Sequence, residues 1–163
     1  MDELMLFVDG SLNPQSNIGY GAYLVVSEGS FALDALRTQV KVRRFEQTSS
    51  TKMELQTLLW ALGDIHATRR KVMVYTDSQN ILGLLERRGR LEQNDYRSKN
   101  NKRLKHYELY QAFYRMIDQL DCKLVKVRGH QAADQKDDMD RLFTLVDRAS
   151  RKALRGKGEQ GDY

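Results

Sequence analysis

Two short apolar runs in this chain end in the same way. Leu4-Met-Leu-Phe-Val8 is followed by Asp9-Gly10-Ser11, and Val72-Met-Val-Tyr75 by Thr76-Asp77-Ser78. Runs this short and continuously apolar read as strands covered on both faces. Such strands belong to sheets flanked by helices, so the pair points to an α/β chain. In an open sheet of that class, functional groups gather where strands end at their carboxyl edge. Asp9 and Asp77 both stand there.

The remaining pattern fills in the order of elements. Residues 19–27 and the stretch 31–45 read as the next two strands, with Gly29 as the breaker in the turn between them. A helix follows over 51–67, where Leu55, Leu58, Leu59 and Leu62 keep an apolar stripe and the hydroxyls of 48–51 can cap its start. After the strand 72–75 comes a short helix within 78–88, then a helix over 107–120 and a parallel-type strand within 123–129. A polar loop leads to a last helix carrying Leu142, Val146, Ala149 and Ala153. This order predicts a mixed five-stranded sheet, three antiparallel leading strands and then parallel ones, with helices on both faces. One domain covers 1–155, and residues 156–163 lack periodicity and are expected to be a disordered tail.

A single cysteine, Cys122, rules out an internal disulfide and suits a reducing compartment. There is no apolar stretch near the roughly 18 residues a membrane helix needs, and no signal-peptide pattern opens the chain. The expectation is a cytoplasmic monomer that does not touch a membrane. Net charge is +5, from 27 basic and 22 acidic residues, but it is unevenly placed. Between Arg87 and Lys105 eight basic residues face two acids, Glu92 and Asp95, so that segment alone carries +6 and the rest −1. A local basic patch points to a partner bearing phosphates.

Glu54 lies on the first predicted helix beside Leu55 and Leu58, at the border of the buried stripe, so it can reach the edge where Asp9 and Asp77 end their strands. Singly these residues have plainer readings: a turn aspartate, an N-cap, a first-turn glutamate. Together they would repel by about 4 kcal/mol per pair at about 4 Å and an effective dielectric of about 20. A fold tolerates that when cations occupy the cluster. Hard oxygen ligands suit Mg²⁺ or Mn²⁺, and a pair of such ions roughly 4 Å apart serves phosphodiester hydrolysis.

The blocks Val8-Asp-Gly-Ser11, Thr48-Ser-Ser-Thr-Lys-Met-Glu-Leu55, Tyr75-Thr-Asp-Ser-Gln79 and Val127-Arg-Gly-His-Gln131 occur in order, and the chain resembles the type 1 ribonucleases H over roughly residues 4–155. The resemblance implies the ribonuclease H-like fold and hydrolysis of the RNA strand of RNA–DNA hybrids. It implies two Mg²⁺ ions, replaceable by Mn²⁺, held by Asp9, Glu54, Asp77 and a fourth carboxylate, with 5′-phosphate and 3′-hydroxyl products. His130 matches the family histidine that assists proton movement or product release. A non-catalytic nucleic-acid-binding module, or a nuclease of the same fold acting on another substrate, are the alternatives.

Two positions fit the fourth carboxylate. Asp140 lies ten residues after His130, the commoner family spacing, and Asp147 seventeen after it. They are seven apart and fall on nearly the same helix face. Packing favours Asp147, because Val146, Ala149, Ser150 and Ala153 then form a stripe of small residues against the sheet, and Asp140 falls near the helix start, where the dipole suits it. For substrate, the resemblance implies RNA contacts by Gly10, Ser11, Ser50, Thr51 and Gln79, with Asn13 and Ser49 gripping a DNA phosphate. Gly10 and Ser11 are expected to be small so that an RNA backbone can pass close by. The basic segment takes the place of the family's basic protrusion, with Tyr96, Tyr107 and Tyr110 as stacking or packing groups.

Overall fold

The computed structural model describes residues 3–27, 32–66, 68–127 and 137–160, with the last four as backbone only. Its elements are β1 (Leu4–Asn13), β2 (Ile18–Ser27), α1 (Leu33–Arg37), β3 (Lys41–Phe45), α2 (Ser50–Asp64), β4 (Val72–Thr76), α3 (Gln79–Gln93), α4 (Tyr107–Gln119), β5 (Cys122–Lys126) and α5 (Asp138–Gln160). The strands form one sheet in the order β3-β2-β1-β4-β5. β1–β2 and β2–β3 are antiparallel, β1–β4 and β4–β5 parallel. The mixed five-stranded sheet read from the sequence is the sheet observed.

Both faces of the sheet are covered, as expected. In β1, Leu4, Leu6 and Val8 pack with Leu55, Leu58 and Leu62 of α2, Ile81 and Leu84 of α3, and Phe113 of α4. Met5 and Phe7 point the other way, to Leu142, Leu145 and Val146 of α5 and Leu36 of α1. The period of two along a strand thus divides one run of apolar residues between two cores.

Several boundaries differ from the reading of the sequence: β1 continues past Val8 to Asn13, and α2 ends at Asp64 rather than at 67. The stretch 31–45 is not one strand: Leu33–Arg37 is helical and only Lys41–Phe45 pairs with β2. The local sequence Leu-Asp-Ala-Leu-Arg is rich in helix formers, and Leu33 and Leu36, three apart, both reach the core under α5. The helix expected within 78–88 continues through Gly89 to Gln93, where Arg88 pairs with Glu92 one turn on. α5 runs to Gln160, overlapping the segment 156–163 expected to be a tail. Among the described residues no helix is long and apolar enough to cross a membrane.

Glycine permits a close approach of α2 to the sheet. A Cβ on Gly21 would stand 2.0 Å from the Thr57 hydroxyl, and one on Gly10 would stand 2.6 Å from the tip of Met53. α2 is therefore pressed flat onto β1 and β2. Gly10 is small enough to admit Met53, a packing requirement independent of any substrate.

Candidate active site

β1 leaves β4 before it leaves β2. The parallel pairing ends at Phe7 and Tyr75, whereas the antiparallel pairing with β2 continues through Asp9, opposite Ala22, to Asn13. Asp9 is thus a strand residue rather than a turn residue. By parity it follows Met5 and Phe7 onto the face covered by α5, where it faces the Asp147 carboxyl. Asp77 comes directly after Thr76, the last residue of β4. It does not cap α3: Ser78 does, accepting a hydrogen bond from the Ile81 amide at 3.2 Å.

Glu54 is brought in by the flat packing of α2, and its carboxylate accepts a hydrogen bond from the Ser78 hydroxyl. Asp147 comes from α5, two helical turns after Asp140, and its Oδ1 lies 3.0 Å from Arg151 Nε. Asp9, Glu54, Asp77 and Asp147, from four different elements, line one open cleft of about 450 Å³. Its walls also include Gly10, Ser11 and Leu12 of β1 and Arg151, Leu154 and Arg155 of α5.

The electrostatics follow from this crowding. Burial first, then the hydrogen bond to Asp147 and the charge of Asp77, push the Asp9 carboxyl from its ordinary 3.8 up to about 9. Glu54 is raised too, by burial and by Asp77, against the lowering effect of the Ser78 hydroxyl.

Asp140 does different work. Its backbone N–H donates to Asp137 Oδ1 at 2.8 Å, and its own Oδ2 accepts from the Asp137 N–H at 3.3 Å. That reciprocal pair is a capping box at the start of α5, built from aspartates. Asp140 is 8% exposed and is not a wall of the cleft.

A divalent cation fits the donor set by its chemistry: four carboxylates supply only hard oxygens, and one of them is pushed toward protonation by burial and by its neighbours. Among the described residues, however, no three such side chains converge on one point. Glu54 turns to Ser78 and Asp147 to Arg151, so gathering round an ion requires rotation of those side chains.

A second cleft, of about 680 Å³, opens between the β1–β2 turn and the starts of α2 and α4. Ser49, which accepts from the Lys52 amide as the N-cap of α2, lines it with Asn17, Lys52, Lys105 and His106. His106 is held below its ordinary value by burial and by Lys105 and Lys52.

The RNase H family model matches residues 1–149 of the sequence. The chain belongs to the RNase H family. A protein named Ribonuclease H from Pseudoalteromonas atlantica is 29% identical over 157 residues, covering 94% of this chain and 95% of that protein. Another of that name, from Syntrophomonas wolfei, is 23% identical over 163 residues, covering 97% and 100%. Among solved structures, that of a foamy viral protease-reverse transcriptase in complex with dsDNA matches with a TM-score of 0.61 at 11% identity, covering 91% of this chain and 93% of that one. That likeness establishes the RNase H-like fold. Family and fold together support ribonuclease activity on RNA–DNA hybrids.

The other residues expected of an RNase H are distributed as follows. Gly10 and Ser11 line the carboxylate cleft, and Ser49 lines the second one. Ser50 and Thr51 form the first turn of α2, and Gln79 opens α3 with its side chain exposed. The Asn13 side chain is engaged in the β1–β2 turn, accepting from the Gln15 amide at 2.9 Å. His130 lies outside the described residues. Arg151 and Arg155 were not anticipated, although they follow Asp147 at intervals of four, which places all three on one helix face.

The basic segment is less free-standing than its sequence implies. Arg88 forms a two-pronged pair with Asp118 of α4, both contacts at 2.7 Å, and Arg97 and Arg103 share Asp95. Tyr96 is buried in the core, with Tyr107 and Tyr110 packed against it, so these rings serve packing. Arg87, Arg90, Arg97 and Lys99 still surround a surface hollow of about 580 Å³.

Proposed function

We propose that this RNase H-family chain is an endonuclease that hydrolyses the RNA strand of RNA–DNA hybrids at the carboxylate cleft. The observation that carries this reading is the convergence of Asp9, Glu54, Asp77 and Asp147 from four elements on one open cleft. Those four side chains would hold two Mg²⁺ ions, with Mn²⁺ able to substitute. The ions would supply Lewis-acid stabilisation of the attacking and leaving oxygens of an in-line displacement at phosphorus. Water attacks and the P–O3′ bond breaks, leaving a 5′-phosphate and a 3′-hydroxyl. Asp147, rather than Asp140, completes the set, because Asp140 is committed to the α5 cap. His130, by the family resemblance, assists proton movement or product release.

The protein's own share is positioning. β1 and β4 fix Asp9 and Asp77 side by side, α2 sets Glu54 and α5 sets Asp147. The RNA strand would cross this cleft past Gly10 and Ser11. The DNA strand would lay a phosphate in the second cleft, where Ser49, Lys52 and Lys105 offer a hydroxyl and two cations. The hollow at Arg87, Arg90, Arg97 and Lys99 would add salt-dependent affinity without reading sequence.

The test is incubation with end-labelled RNA–DNA hybrid, duplex RNA, duplex DNA and single strands, each in Mg²⁺, Mn²⁺ or EDTA. Metal-dependent internal cuts confined to the RNA of the hybrid are expected. Binding without cutting would make it a non-catalytic module, and cutting of another substrate alone would make it a different nuclease of this fold.

A further inference from the structure

Ser11 and Ser150 are 139 residues apart, yet their hydroxyl oxygens lie 3.0 Å from each other. Ser11 is half-buried on β1 and lines the carboxylate cleft, while Ser150 on α5 has no exposed surface at all. Ser150 Oγ also lies 3.0 Å from the backbone carbonyl of Asp147. A carbonyl only accepts, so the Ser150 proton points to Asp147, and the proton between the two hydroxyls then comes from Ser11. The reverse arrangement would leave the Ser150 and Asp147 oxygens facing each other at 3.0 Å with no proton between them. The chain of donation therefore runs from Ser11 to Ser150 to Asp147.

We infer that Ser150 is a positioning residue that fixes the polarity of Ser11, so that Ser11 presents only lone pairs to the cleft and accepts a hydrogen bond from a ribose 2′-hydroxyl. This rests on the reading of the cleft as the path of an RNA strand. An acceptor-only Ser11 cannot donate to a phosphate oxygen, and it gains nothing from a deoxyribose, which has no hydroxyl to offer. The 2′-hydroxyl is what separates RNA from DNA at a given site. The same relay ties α5 to β1 one turn from Asp147, so recognition of the sugar and placement of the fourth carboxylate share one contact.

The test measures hybrid binding in EDTA, using single 2′-fluoro substitutions walked along the RNA strand. Fluorine keeps the ribose pucker but cannot donate. For the parent protein, at least one position should weaken binding on fluorination, on the order of fivefold for one neutral hydrogen bond. In Ser150→Ala the Ser11 hydroxyl turns freely, and discrimination at one such position should collapse while other positions keep theirs. Ser11→Ala should lose the same position, and the double variant should lose nothing more. Melting temperatures of the variants report any loss of folding separately. Unchanged discrimination in Ser150→Ala, with hybrid binding intact, overturns the relay alone. Failure of the parent to bind any hybrid overturns the functional reading, and the relay falls with it.

Discussion

Asp9 and Asp77 each lie two residues beyond Phe7 and Tyr75, the last paired couple of the parallel β1–β4 ladder. The parallel ladder therefore delivers two carboxylates side by side, and Asp147 of α5 closes on Asp9 from one face of the sheet. Burial and two neighbouring carboxyls act on one group. The consequences are measurable.

The two aspartates of α5 should separate by function. Asp147→Asn should abolish cleavage with little change in melting temperature. Asp140→Asn should keep cleavage and lose about 1 kcal/mol of stability through the weakened capping box. Parallel cleavage assays and thermal melts check both, and retained activity in Asp147→Asn would reverse the assignment.

Cation binding should be visible without turnover. Mg²⁺ should raise the melting temperature with site occupancy, since it binds the folded cluster and not the dispersed chain. Asp77→Asn should lose most of that dependence while being no less stable in EDTA. A parent melting point indifferent to Mg²⁺ would count against the cluster as a cation site.

The Asp9 carboxyl gives a pH dependence of definite sign. Its folded value, about 9, lies above the ordinary 3.8, so folding takes up a proton between those limits. Its contribution is fully present below about pH 4 and is lost as pH rises through about 9. In EDTA, the urea midpoint of the parent should fall relative to that of Asp9→Asn as pH goes from 5 to 9. Mg²⁺ should flatten the difference, because a cation competes with the proton for the same oxygens. Midpoints of the two proteins that stay parallel in EDTA would contradict the crowding of Asp9.

Close packing of α2 predicts unequal tolerance at two glycines. Gly21→Ala places a methyl 2.0 Å from the β-branched Thr57 and should cost about 1–3 kcal/mol. Gly10→Ala meets the mobile end of Met53 and should cost less. Denaturant unfolding of both variants gives the comparison, and equal losses would mean that Met53 is as fixed as Thr57.

How much of this could be read from the residues alone depended on range. The strands around Asp9 and Asp77 were legible because continuous apolar runs leave few choices, and the leucine stripe placed Glu54 beside them. The segment 31–45 misled because a five-residue helix is shorter than any periodicity can reveal; it exists through the burial of Leu36 under α5. The fourth carboxylate was ambiguous because Asp140 and Asp147 share a helix face. What separates them is a contact with Asp137 for one and with Asp9 and Arg151 for the other. Likewise, the charge count of the basic segment could not include Asp118, which only tertiary structure brings to Arg88.

The most direct measurement is cleavage of a 5′-labelled RNA–DNA hybrid in Mg²⁺ by the parent and by Asp77→Asn, purified alike. The parent should cut internally, in the RNA strand alone, and Asp77→Asn should leave the hybrid intact. Cutting that persists in Asp77→Asn would place the chemistry outside this cleft and contradict the account.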